Sequence, residues 1–219
     1  MRLFRSPPRR ELLAAALLFC AGFAPITALA LSLFEWVPLP IGTLALVLPC
    51  VAAVCVTGLF VPSFGALAAT GLLFGIGAVF CYDALTRFPL LAAGAMADFI
   101  PRIGVWLTGL GEPDWRLGYL WRYLGNGGGM GVAFTGLYVL LRPRLEPRLA
   151  GIVFGVAVWC CLMGTLRLAP GGSDKLFVLT PFTFVISLLG HVVYGASLGQ
   201  FVWLRDRRGA HAEPAAALR

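Results

Sequence analysis

Six long apolar runs dominate this sequence and limit what it can fold into. Each contains almost no charged residues, and most approach the roughly 20 residues that an α-helix needs to cross a bilayer. The runs are residues 12–34, 41–61, 64–82, 127–141, 149–168 and 176–204. Backbone groups in lipid must bond within their own element, which favours helices. We therefore predict an all-α, polytopic membrane helix bundle of about six transmembrane helices, forming one domain over residues 1–204.

The composition supports a membrane protein and argues against nucleic-acid binding. Hydrophobic residues make up 59% of the chain and charged residues 12%, whereas soluble domains average about 45–50% and about 25%. The net charge is +7, but the arginines are spread over separate loops. They form no basic face with interleaved aromatic residues. We expect the lipid bilayer as a partner, and no nucleic acid.

The distribution of charge predicts the orientation of the helices. With a cytoplasmic N-terminus, six spans place eleven basic and four acidic residues on the inner side, and six of each on the outer side. Basic residues favour the cytoplasmic side of a membrane. We therefore predict a multi-pass protein of the inner (cytoplasmic) membrane with both termini in the cytoplasm, and a disordered cytoplasmic tail at residues 205–219.

Residues 83–126 form the one long polar interval between the runs. Acids and arginines recur there at the i,i+4 spacing of helical ion pairs, and aromatic residues alternate with arginines, as is typical of the headgroup layer. We expect short interfacial helices on the outer surface. The following run, 127–141, would extend only roughly 22 Å as a helix. It either continues from the preceding helix or begins inside the membrane at the glycines, where free N–H groups would face an anion.

Several apolar runs carry glycines at spacings that place them on one helix face. Two helices can approach closely where glycine removes the side chains between them. The predicted packing positions are Gly71, Gly75, Gly127, Gly131, Gly151, Gly155, Gly195 and Gly199. We expect the fourth, fifth and sixth spans to touch one another through Gly131, Gly155, Gly195 and Gly199.

His191 lies near the middle of the last run and is the one ionisable residue predicted near the membrane midplane. Ser187 and Gly195 lie on the same face, with Tyr194 beside them, and Asn126 at the start of the fourth run is a further candidate. Buried ionisable residues in membranes are often functional. His191 could contact a substrate, relay a proton or ligate a porphyrin or pigment whose ring rests on the glycines. Alternatively, it bonds a neighbouring helix and fixes its register. We expect no metal site, because the second histidine, His211, lies in the tail.

Residues 125–204 resemble small uncharacterised multi-pass bacterial inner-membrane proteins. The likeness rests on the Asn126-Gly127 start, on Tyr138 and on the pattern His191-x-x-Tyr194-Gly195 with Gly199 in the last helix. The resemblance implies a helical membrane protein and brings no known activity with it.

Three functional classes are compatible with the sequence. The first, which we favour, is an accessory or assembly subunit that packs against other membrane protein subunits through its glycine-rich faces. The second is a small-solute or lipid permease that uses the midplane histidine. The third is a membrane-embedded enzyme using the acids of the outer segment, which are Asp83, Asp98, Glu112 and Asp114. An enzyme is the least favoured class, because no nucleophile–base or metal-ligand set accompanies these acids. The predicted spans contain no acid, which disfavours ion-coupled transport.

Overall fold

The protein folds into a bundle of long helices. The computed structural model describes residues 9–109, 111–141, 145–170 and 172–216, and these contain no β-strand. Five of the helices are long and apolar enough to cross a membrane. Large aliphatic and aromatic side chains such as Leu59, Phe60 and Leu73 remain exposed on them. The chain is therefore a multi-pass integral membrane protein in contact with lipid.

Eight helices are numbered in chain order. They are α1 (Arg9–Leu33), α2 (Leu39–Phe60), α3 (Pro62–Ala92), α4 (Ile100–Thr108), α5 (residues 115–141), α6 (Pro147–Leu168), α7 (Gly172–Lys175) and α8 (Pro181–Ala216). The five spanning candidates are α1, α2, α3, α6 and the segment Pro181–Arg207 of α8. The helix α8 thus continues beyond residue 204 into the predicted disordered tail and is helical to Ala216. Residues 217–219 of that tail lie outside the described part.

Local sequence explains where several helices begin. Pro62 and Pro147 occupy the first turn of α3 and α6, where the missing N–H is not needed. The Glu146 carboxylate accepts hydrogen bonds from the backbone N–H groups of the next turn, and Asp114 does the same for α5. Such caps satisfy donors that have no partner within the helix. Asp114 therefore has a structural role.

The fifth helix settles the two alternatives for the glycine-rich run. It consists of Trp115–Leu120, a π-helical segment Trp121–Gly128 and Gly129–Leu141, without a break. The run continues from the preceding helix, so its glycines lie inside α5 and leave no free helix N-terminus. At about 1.5 Å per residue, α5 extends roughly 40 Å, which exceeds the roughly 30 Å of a hydrocarbon core.

The third helix is longer than predicted, and this moves an acid into the bundle. We expected the span to end at residue 82, but α3 continues through a π-helical segment, Asp83–Arg87, to Ala92. Asp83 is completely buried. The expectation that no acid lies inside a span was therefore wrong. The sequence did not reveal it because a charged pair at i,i+4 is equally typical of an exposed helix.

Glycines allow the helices to approach one another closely. In space the helices follow the order α1, α5, α3, α8 and α6, in which each helix packs against the next. A Cβ added to Gly75 would lie 2.2 Å from the carbonyl oxygen of Gly127, and one added to Gly151 would lie 2.1 Å from that of Gly195. The fifth and sixth predicted spans, α6 and α8, thus meet through glycines. Gly131 lies against α3 rather than against α6 or α8, where we expected it.

Short segments cover one end of the bundle, here called the cap end and defined by residues 93–114. Ile100 and Ile103 of α4 are buried in a cluster with Leu33 of α1 and Leu166 of α6. The segment therefore packs on the ends of the spanning helices, and α4 carries apolar residues on one face. The connection between α3 and α5 is shorter than the outer segment predicted at residues 83–126, because both helices extend into it.

Candidate functional site

A cavity of about 370 Å³ lies inside the bundle near the cap end. Its walls come from α1, α3, α5, α6 and α8, with α4 above, and most lining side chains are aliphatic or aromatic. Towards the middle of the bundle, Phe23 of α1 meets Phe154 of α6 edge to face, with ring centroids 5.9 Å apart. The volume falls within the range of about 300–1,000 Å³ typical of small-molecule sites.

The cavity opens sideways, between α1 on one side and α6 with α8 on the other. Three of its lining residues are exposed: Thr27 on α1, Cys161 on α6 and Phe182 on α8. Helix α1 packs mainly against α5 and has no extensive contact with α6 or α8. The cavity therefore reaches the surface of the bundle between these helices.

A buried group of charged side chains forms the polar end of the cavity. The Asp83 carboxylate accepts hydrogen bonds from Nε of Arg122 at 2.9 and 3.1 Å, from Nη2 of the same guanidinium, and from the Tyr123 hydroxyl at 3.2 Å. Asp83 also lies 3.5 Å from Nη1 of Arg87. A buried carboxylate requires such compensation, because removing it from water is costly. The cluster fixes both arginines beside the cavity.

Arg87 is 3% exposed and is only partly satisfied. Its Nη2 group donates to a carboxylate oxygen of Asp98 and to the Tyr119 hydroxyl, the latter at 2.8 Å. Nε and Nη1 are buried, and no described residue accepts a hydrogen bond from either. Unsatisfied buried donors cost about 1–3 kcal/mol each, and more when charged. Since Arg87 lines the cavity, it offers unsatisfied cationic donors at its polar end.

Tyr82 links the arginines to His191. The Arg122 guanidinium carbon lies 4.9 Å from the centre of the Tyr82 ring, and the rings of Tyr82 and His191 meet edge to face at 5.5 Å. Tyr82, Arg122 and His191 all line the cavity. The histidine and the charged cluster therefore belong to one site, although they come from α3, α5 and α8.

The hydrogen bond of His191 fixes its neutral tautomer. Nδ1 lies 2.7 Å from the backbone carbonyl oxygen of Ser187. A carbonyl can only accept, so Nδ1 carries the proton and the lone pair of the neutral ring is on Nε2. No described residue bonds Nε2. His191 thus bonds its own helix rather than a neighbouring one, and it offers an acceptor next to a cavity.

All four residues selected from the sequence line this cavity: Ser187, His191, Tyr194 and Asn126. The Tyr194 hydroxyl donates to the carbonyl oxygen of Gly127 at 2.7 Å, which joins α8 to α5. The Ser187 hydroxyl accepts from the Trp159 indole at 3.0 Å. These two polar groups therefore have partners, whereas Oδ1 of Asn126 is buried and accepts no hydrogen bond from a described residue.

The sequence did not identify Tyr82, Arg87 or Arg122 as site residues. Each lies at a predicted span boundary or in the interval taken to be interfacial, where aromatic residues and arginines are common. One signal was available. Asp83 and Arg87 lie in an apolar helical pattern that can be extended past residue 82, and Arg122 lies in one that can be extended before residue 127. Only the packing of α3 on α5 reveals that they meet.

The glycine face of α8 offers no room for a porphyrin ring. A Cβ on Gly195 would lie 2.2 Å from the carbonyl oxygen of Gly151, and one on Gly199 would lie 2.3 Å from that of Pro147. The backbone of α6 already fills this face. The part of the porphyrin prediction that placed a ring on the glycines is therefore wrong, whereas ligation from the cavity side stays a prediction.

The four acids considered for an enzyme do not form a catalytic set. Asp83 and Asp98 are held by arginines, and Asp114 caps α5. Glu112 is exposed at the surface near Asp114. Asp98 forms its ion pair with Arg87 of α3.

These features define the class of the protein: a multi-pass helical membrane protein with an internal, laterally open cavity. By sequence it belongs to a family of unknown function, DUF6789, whose model matches residues 56–212. Neither the curated proteins nor the solved structures include a match. The matched residues include Asp83, Arg87, Arg122 and His191 of the site described above.

Proposed function

We propose that this protein binds an amphipathic, lipid-like molecule inside the membrane, as a lipid-handling protein or permease. The observation that carries the proposal is the cavity of about 370 Å³, with apolar walls at its lateral opening and Arg87, Arg122 and His191 at its polar end. An amphiphile has the same division. Its chains match the opening towards lipid, and its head matches the charged end.

The same observations reduce the support for an accessory subunit, which the sequence favoured. That prediction depended on glycine faces being available to other proteins. All eight packing glycines lie close to neighbouring helices of the same chain. Close packing within the chain is therefore enough to account for these glycines, and it does not account for the cavity.

The proposal includes six spans, with α5 as the sixth, and a cytoplasmic N-terminus in the inner membrane. It places the cap end, and with it the cavity, in the outer half of the bilayer. The excess of basic residues at the opposite side supports this orientation. The lateral opening then faces the outer leaflet.

The test compares lipid retention by two phenylalanine variants of α1. Ala30 lines the cavity, whereas Ala16 is exposed on the same helix and does not. We expect native mass spectrometry of detergent-purified protein to show a tightly bound lipid in the wild type and in Ala16→Phe, and to show its loss in Ala30→Phe. Visible absorption of the same samples tests for a porphyrin. Equal lipid retention by both variants would contradict the proposal.

A further inference from the structure

We propose that the polar end of the cavity selects a lipid whose head is anionic and also carries hydroxyl groups, with phosphatidylglycerol as the probe. This inference depends on the proposed lipid-binding function and adds the chemistry of the head group. It rests on the unequal hydrogen-bonding state of the side chains at this end of the cavity.

Two donors at the polar end of the cavity lack an acceptor. Nε and Nη1 of Arg87 are buried without an acceptor among the described residues. The Asp83 carboxylate bonds Arg122 and Tyr123 and lies 3.5 Å from Nη1 of Arg87, too far for a good hydrogen bond. Asp98 is bonded to Nη2 of Arg87 and to Tyr119. None of the described residues that line the cavity carries a carboxylate. A phosphodiester oxygen would supply the missing acceptor, and hydrogen bonds between charged groups are the strong ones.

Two acceptors at the same end of the cavity lack a hydrogen-bond donor, which a ligand could supply. Oδ1 of Asn126 is buried and unpaired, and Nε2 of neutral His191 carries a lone pair without a described partner. A phosphate diester and a tertiary or quaternary amine have no O–H to give. The hydroxyl groups of a glycerol head supply such donors. A head with both an anionic phosphodiester and hydroxyls therefore satisfies more of the site than either feature alone.

Comparison of phosphatidylglycerol with two other lipids separates the contribution of the anionic charge from that of the hydroxyl groups. Phosphatidylcholine has the phosphodiester, but its head carries a compensating cation. Phosphatidylethanol has the same anionic phosphodiester without any hydroxyl. In nanodiscs of phosphatidylcholine doped with each probe, we expect the full-length protein to retain phosphatidylglycerol about tenfold or more over phosphatidylcholine, and severalfold over phosphatidylethanol. Because apolar contacts also contribute, free glycerol 3-phosphate should compete only weakly, and effective competition by it would show that the site binds a soluble phosphate.

Two variants assign the preferences to residues. Arg87→Gln should lower the preference for phosphatidylglycerol over phosphatidylcholine and remove that for phosphatidylethanol over phosphatidylcholine. Arg116→Gln, at an exposed position outside the cavity, should keep both. Asn126→Leu should remove part of the preference over phosphatidylethanol while keeping the preference over phosphatidylcholine. This variant is expected to fold, because removing an unpaired buried acceptor does not break a bond.

The outcomes distinguish the head-group inference from lipid binding itself. Retention of lipid without discrimination between phosphatidylglycerol and phosphatidylcholine would overturn the inference and leave the proposed function standing. Equal behaviour of Arg87→Gln and Arg116→Gln would also overturn it. Absence of any lipid that Ala30→Phe displaces would instead refute the proposed function.

Discussion

Replacement of Asp83 by Asn should strongly destabilise the protein. The carboxylate is completely buried and compensates Arg122 through paired hydrogen bonds, with Tyr123 and Arg87 as further neighbours. The amide has the same shape, but it has no charge and turns a donor towards the guanidinium. Breaking a buried ion pair on one side typically costs about 3–5 kcal/mol, because the remaining charge stays buried without its partner.

The double variant Asp83→Asn with Arg122→Gln tests this reasoning. If the cost comes from the uncompensated arginine, removing both charges should restore much of the stability, and the coupling between the two sites should amount to about 1–3 kcal/mol. Unfolding in detergent, followed by denaturant titration or by thermal shift, measures all four proteins. A loss below about 1 kcal/mol for Asp83→Asn, or a double variant as unstable as the sum of the single ones, would refute the argument.

Three further predictions concern packing, the histidine and the topology. Gly151→Ala should lower stability by about 1–3 kcal/mol through overpacking, whereas Gly164→Ala on the same helix, where nothing lies within 4 Å, should be neutral or slightly stabilising; equal thermal stability of the two would contradict this. His191→Asn should fold like the wild type but retain less lipid in native mass spectrometry, and unchanged retention would show a purely structural role. A membrane-impermeant maleimide should label Gly111→Cys and not Leu145→Cys in intact cells, and the reverse pattern would invert the proposed topology.

Local sequence determined the helices and most of their boundaries. Apolar runs near the length of a membrane span predicted all six long segments, because lipid requires every backbone group to bond within its own helix. Proline and acidic caps such as Glu146 and Asp114 are equally local, since they act on the next turn of the chain. The four candidates selected from the sequence line the cavity, three of them within the last apolar run and Asn126 just before the fourth.

The tertiary structure alone decided what those residues form together. The bond between Arg122 and Asp83 joins positions 39 residues apart, and the contact of Tyr82 with His191 joins still more distant ones. Helix periodicity describes one face of one helix and contains no information about which helix packs against it. The glycines of α6 and α8 illustrate this limit: their spacing predicted close approach, but the same spacing fits a partner protein or the same chain. In the structure these glycines pack against helices of the same chain. Helices α1 and α6 do not pack closely along their length, and the cavity lies between them.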